Sequence, residues 1–263
     1  MKKRIAIAVV LGLVTLFIAL VWTRNTYTRR EFDAAPANVP GTGIALQGEG
    51  MSDEEKAAAL SNSLYLRLDP ASALHRRLID RFDEIEILPG EDRGAAADDP
   101  ARPIKIRTWN VPESSNGRMS YTLTVVTGLV EGTDECLFIG EYRWLKPPFA
   151  RWGDRIYMEL SSALFERTGG EAFHAMVTFW NTKDQSIRME KTLGAFLFEG
   201  QAAAKAPLKL GTRDFIAQYW VSLTPTDMVF DGMAIQTLLY YAHLGSAQQG
   251  RGFTWECPRA EVQ

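Results

Sequence analysis

Cysteine and histidine are scarce in this chain: Cys136 and Cys257, and His75, His174 and His243, are all that 263 residues hold. Two cysteines cannot build a small disulfide scaffold, and their spacing is not that of a CxxC pair. The histidines fall on separate segments without metal-ligand spacing, so no metal and no cofactor are expected. The Gly-x-Ser-x-Gly elbow, the phosphate-binding loop, HExxH and the dinucleotide fingerprint are missing as well. Gly41-Thr42-Gly43 opens like that last motif, but Leu46 stands where its third glycine belongs. Nor is there a surplus of positive charge, because 32 acidic residues outnumber 29 basic ones and no long basic stripe forms. That balance argues against a nucleic-acid binder.

What the chain does have is one long apolar run, Ile5 to Trp22, behind Lys2, Lys3 and Arg4. At about 1.5 Å per residue a helix there reaches roughly 27 Å, near the thickness of a bilayer core. A cleaved signal peptide has a shorter apolar stretch, about 7 to 15 residues, ending in a small-x-small site. Ala19-Leu20-Val21 lacks the second small residue, and Ala35-Pro36-Ala37 lies behind several charges, so an uncleaved anchor is the expectation. With a tail this short the bulk is usually exported, although Arg24, Arg29 and Arg30 oppose that orientation. The expectation is a single-pass protein of the inner (cytoplasmic) membrane with its bulk in the periplasm. In that oxidising compartment Cys136 and Cys257 are expected to pair, pinning the C-terminal tail to the sheet.

The implied organisation is an anchor at 1–22, a Pro- and Gly-rich tether at 23–50 and an exported α+β domain at 51–263. Apolar content of 46% and charged content of 23% are those of a globular domain with a core. Ser52 with Glu55 is a capping-box signature, and Leu60, Leu64 and Leu68 lie four apart behind it, predicting a helix from Asp53 to Leu66. Asp69-Pro70 offers a second helix start, followed by Leu74, Leu78 and Phe82. Alternation then predicts strands at 84–88, 104–110, 118–130, 136–145, 155–167, 171–180, 187–198 and 213–222. Their short Gly- and Asp-bearing links predict an antiparallel meander without crossovers. Met233 to His243 reads as a closing helix, with a hairpin through Asp231-Gly232 as the competing reading. The order of elements, a helix pair, a curved antiparallel sheet of about seven strands and a C-terminal helix, resembles helix-grip or cone-like folds in that order alone.

Three places compete for function. Arg143, Trp144, Lys146, Phe149, Arg151 and Trp152 put aromatics and cations around a rigid Pro147-Pro148 pair, the composition of a binding hot spot. His174 shares a strand face with Met176, Thr178 and Trp180, which fits a general base less well than an ordinary half-covered strand histidine. Glu131, Asp134 and Glu135 cluster in an expected turn without calcium-loop spacing. The leading expectation is a non-enzymatic binding or assembly protein of the bacterial cell envelope, in a secretion or envelope complex, partnered by the membrane and another envelope protein. A carrier of a lipid or apolar ligand between sheet and helix comes second, and a hydrolase using His174 third.

Overall fold

Local signals set the helices in the computed structural model, which describes residues 9–17, 44–89, 101–111, 119–145, 155–161, 163–167, 176–181, 186–191, 203–205, 216–242 and 249–257. Helix α1 is the stretch 9–17. Helix α2, Asp53–Leu64, starts at the expected capping box: Ser52 Oγ accepts from Glu55 N–H at 3.3 Å, and the Glu55 carboxylate accepts from Ser52 N–H at 2.8 Å. It stops when Tyr65 turns left-handed at φ 55. The second start lies further on than Asp69-Pro70 predicts, because Asp69 closes a turn of its own. Its Oδ1 accepts from Ala71 N–H at 2.9 Å and its carbonyl accepts from Ser72 N–H at 3.0 Å, so α3 spans Ala73–Ile79. Leu60, Leu64, Leu74, Leu78, Ile79 and Phe82 are all buried, as the spacing of four requires.

The larger sheet runs β1 (Ile44–Ala45), β2 (Ile85–Pro89), β3 (Ile104–Val111), β4 (Met119–Thr127), β5 (Cys136–Trp144), β11 (Ile216–Pro225), β8 (Met176–Asn181) and β9 (Ser186–Lys191). Strand β7 (Phe165–Arg167) also pairs with β11. A second sheet has the order β10 (Ala203–Lys205), β6 (Arg155–Glu159), β12 (Met233–Ala242), β13 (Gln249–Cys257). An antiparallel sheet is therefore present, but the predicted fold class needs correction.

Among the described residues there is no C-terminal helix. Met233–Ala242 is a strand, because Gly232 at φ +72 takes the hairpin option and Ile235, Thr237, Leu239 and Tyr241 then alternate into the core. The expected strand 155–167 breaks at a turn closed by Leu164 N–H to Ser161 O at 3.1 Å, which sends β6 and β7 to different sheets. Strand β2 is parallel to β3, since the fourteen positions between Pro89 and Ile104 leave room for the chain to return. Among the described residues the chain is thus mostly β, with three α-helices.

The larger sheet is the middle layer of three. From β4, Tyr121, Leu123 and Val125 face the second sheet, joined by Phe138 and Tyr142 of β5 and by Tyr219 and Val221 of β11. Ile156 and Met158 of β6, Leu239 of β12 and Trp255 of β13 meet them from the other side. Gly140 permits the approach, since a Cβ there would lie 2.7 Å from Met158 Cε and 2.9 Å from Leu239 Cδ2. The opposite face, with Ile106, Val126, Leu137, Ile139 and Trp220, is covered by α2 and α3. Ile44 and Ala45 pair with β2 and Leu46 is buried, so the end of the expected tether is part of the sheet.

Two further expectations fail. Among the described residues no helix is long and apolar enough to cross a membrane. Of the apolar run only 9–17, helix α1, is described, and 5–8 and 18–22 lie outside the described residues. Single-pass inner-membrane anchoring is therefore not supported, and nothing supports a periplasmic or envelope location. Nor does a disulfide join Cys136 to Cys257, both of which are buried thiols.

Candidate functional site

Of the residues singled out for partner binding, Lys146, Phe149, Arg151 and Trp152 lie outside the described residues, as does His174. Arg143 points to the helix side of the sheet, where its guanidinium donates to Glu141 at 2.8 Å. Trp144 has the parity of Tyr142 and is buried between the sheets, with Nε1 donating to the Tyr241 hydroxyl at 2.8 Å. It belongs to the core. Tyr241→Phe keeps the ring but deletes that acceptor, and is expected to cost about 1 kcal/mol in urea denaturation. In a Trp144→Phe background, where the donor is already gone, the same change should cost much less.

Beneath the α2–α3 linker the sheet turns polar. Asn110, Thr122, Glu141 and Gln218 occupy one cross-strand row on β3, β4, β5 and β11, and the last three are buried. Glu141 accepts from Gln218 Nε2 at 2.7 Å, from Arg143 at 2.8 Å and from the Arg67 N–H at 3.2 Å. Gln218 also donates to the Arg67 carbonyl at 3.0 Å and accepts from Trp220 Nε1 at 3.0 Å. The next two linker amides go to Ser61 Oγ at 3.0 Å and His75 Nδ1 at 2.9 Å. A loop lying on a sheet would otherwise strand these amides away from water.

Chemically this row is occupied with holding the fold. Glu141 has its oxygens committed to three donors, and His75 accepts through Nδ1 while stacking on Trp220 at 4.8 Å between ring centroids. Burial pushes the His75 imidazole down to about 4, against the opposing pull of Asp69, so it stays neutral and occupied at neutral pH.

The other end of the same strands presents a different surface. There Arg81 donates to Leu129 O at 2.5 Å and to Glu84, whose carboxyl is held below its ordinary range by that bond. Arg81 and Glu84, with Glu131 and Thr133, line a cleft of about 210 Å³. No group of three His, Cys, Asp or Glu side chains able to hold a metal occurs among the described residues.

Beside this cleft's turn, on β11, the chain makes the β11–β12 turn, 226–232. Thr226 fastens it: its N–H donates to Leu164 O at 2.9 Å, and its Oγ1 donates to Ala163 O at 2.8 Å and accepts from Met228 N–H at 3.4 Å. Val229 N–H to Thr226 O, Met233 N–H to Phe230 O and Gly232 N–H to Cys257 O, each 3.0 Å, complete the closure. Val229 plugs into the inter-sheet core at 1% exposure, while Met228 and Phe230 stand out at 63% and 65%. The stretches 163–166, 226–234 and 253–257 carry Glu166, Asp227, Asp231 and Glu256, all exposed, and Arg167 follows on β7.

Sequence reasoning placed the hairpin through Asp231-Gly232 second to a helix and took Met228 and Phe230 as buried, because they sit in a run that is apolar nearly all round. Asp227 and the Asp231-Gly232 pair were the available signal, since they demand a turn whose flanking side chains point outward. Compared with protein-family models, with curated proteins and with solved structures, the chain matches none.

Proposed function

We propose that this chain is a non-enzymatic protein-binding module, and that the 226–232 turn docks a partner offering an apolar pocket with a basic rim. The observation that carries the reading is the exposure of Met228 and Phe230 on a turn closed by six hydrogen bonds. Exposed apolar side chains on a pre-ordered backbone are the economical way to bind, because little conformational freedom is lost on docking. Methionine and phenylalanine suit such contacts by size and shape. Four acidic neighbours set the partner's sign and disfavour anionic lipid headgroups. A ligand carrier is less well supported, because the spaces between layers are filled by Trp220, Tyr121, Tyr142, Tyr219 and Phe138, each at 0% exposure.

The test uses the full chain with two labelled probes, an alternating lysine–leucine peptide and its glutamate–leucine counterpart, and vesicles of phosphatidylcholine with phosphatidylglycerol. The basic peptide should bind at least about tenfold more tightly than the acidic one, and the preference should fall with added salt. Met228→Ser with Phe230→Ser should remove that binding while shifting stability by less than about 0.5 kcal/mol, as surface changes do. Equal affinity for the two peptides, binding that survives the double substitution, or preferential capture by vesicles would refute the reading.

A further inference from the structure

Cys136 opens β5 in the middle layer and Cys257 ends β13 in the covering sheet, 121 residues apart along the chain. Both side chains are buried, at 1% and 0% exposure, in the same inter-sheet core. Two residues away along the same strands the rings of Phe138 and Trp255 meet with centroids 5.4 Å apart, so β5 and β13 bring the two cysteines to neighbouring positions across the layers. Each also borders a turn at this end of the molecule: Cys136 Sγ donates to Asp134 O at 3.5 Å, and the Cys257 carbonyl closes the 226–232 turn through Gly232 N–H. Two thiols buried at neighbouring positions on facing sheets can be joined only when the layers part enough to admit a reagent.

We propose that Cys136 and Cys257 are a dithiol which a small-molecule disulfide oxidises to a covalent bond between the two sheets. One cysteine, as thiolate, attacks the reagent disulfide and expels a first reagent thiolate, leaving a mixed disulfide. The second cysteine then attacks the protein-bound sulfur and expels a second reagent thiolate. The two cysteines lose two electrons in all, the reagent's sulfur–sulfur bond takes them up, and the two thiol protons end on the two released thiols. The neighbouring Cys257 sulfur and burial keep Cys136 protonated at neutral pH, so exchange runs through momentary parting of the sheets and speeds up in mild denaturant. The bond closes a loop of more than a hundred residues, long enough to restrict the unfolded chain substantially.

The full chain is incubated with oxidised glutathione in dilute urea below the unfolding transition, quenched with a maleimide and mapped by mass spectrometry without reduction. The expected result is a linked pair of peptides carrying Cys136 and Cys257, a loss of both maleimide adducts, and a melting temperature higher by about 10 °C that reverts with dithiothreitol. Cys136→Ser and Cys257→Ser should each give only a glutathione adduct or no reaction. Retention of both free thiols, glutathione adducts without the linked peptide, or a linked form that melts lower than the dithiol would overturn the proposal. The mapping of the unsubstituted chain decides even if a variant folds poorly. None of these readouts depends on peptide binding, so this result and that for the docking turn stand or fall separately.

Discussion

Glu141→Ala should lose about 3 to 5 kcal/mol of stability, the cost of taking one partner out of a buried charged network. The alanine leaves the Arg67 N–H, the Gln218 amide and the Arg143 guanidinium facing an empty site that the sheet and the linker close off from water. Domains of this size are stable by only about 5 to 15 kcal/mol, so the change removes a large fraction of the total. Glu141→Gln is the informative companion: its amide keeps one acceptor oxygen and the side-chain volume but gives up the ion pair with Arg143, so it should fall between wild type and alanine. Urea denaturation followed by tryptophan fluorescence measures both, with the loss appearing as a lower midpoint at unchanged slope. Amide exchange at Arg67 supplies the local readout, and it should accelerate in Glu141→Ala well beyond the change at β4. If Glu141→Ala costs under about 1 kcal/mol, the row is not what fastens the helix pair to the sheet.

That network also marks the limit of what the residue pattern reveals. The capping box at Ser52 and Glu55 is legible because every atom in it lies within one helical turn, and the four-spaced leucines are legible because a helix has one period. Alternation along β4 implies one buried face, Met119, Tyr121, Leu123 and Val125, and one polar face. Yet Ser120, Thr122 and Thr124 are also buried, at 4%, 3% and 0%. Small hydroxyls can enter a core when they find each other, as Thr108 and Thr124 do at 3.0 Å and Thr122 and Asn110 at 3.4 Å. Nothing in the order of residues announces those pairings, which cross strands.

The same reason hides the third layer. Ile235, Leu239 and Tyr241 fit a helix flank or a strand face equally well by composition, and only the neighbours β6 and β13 decide between them. Strand β13 was missed altogether, because Gly250 and Gly252 mask the alternation of Phe253, Trp255 and Cys257. Trp144 misled for a related cause. Its flanking cations and prolines describe a surface loop, whereas its register opposite Met119 fixes which way the ring points. The 226–232 turn shows the converse, with apolar residues that pattern places inside and turn geometry pushes out.

His75 gives the second large effect, and it depends on pH. In the folded chain the imidazole titrates near about 4, because burial between α3 and Trp220 penalises the charged form more than Asp69 favours it. In the unfolded chain it titrates near its ordinary 6.5. Above pH 6.5 both states hold a neutral ring and the group contributes no slope. As pH falls from 6.5 towards 4 the unfolded chain takes up a proton that the folded chain refuses, so stability drops by about 1.4 kcal/mol per unit, roughly 3 kcal/mol in all. Below about 4 the folded ring also protonates and the loss levels off.

Carboxylates add slopes of their own in this window, so the measurement is a difference between two proteins. His75→Asn keeps an acceptor where Nδ1 receives the Asp69 N–H but has no proton to gain. It should be less stable than wild type at pH 7.5, and the gap should narrow steadily down to pH 4.5. Urea midpoints at pH 7.5, 6.5, 5.5 and 4.5 report that convergence, and Trp220, stacked on the ring and donating to Gln218 at 3.0 Å, is a fluorophore placed at the site. Parallel curves for the two proteins across the range would mean that His75 titrates as it does in water and that the helix pair does not shut it away. Such a result would reopen the imidazole as an accessible base, the one chemistry the observed packing takes away from it.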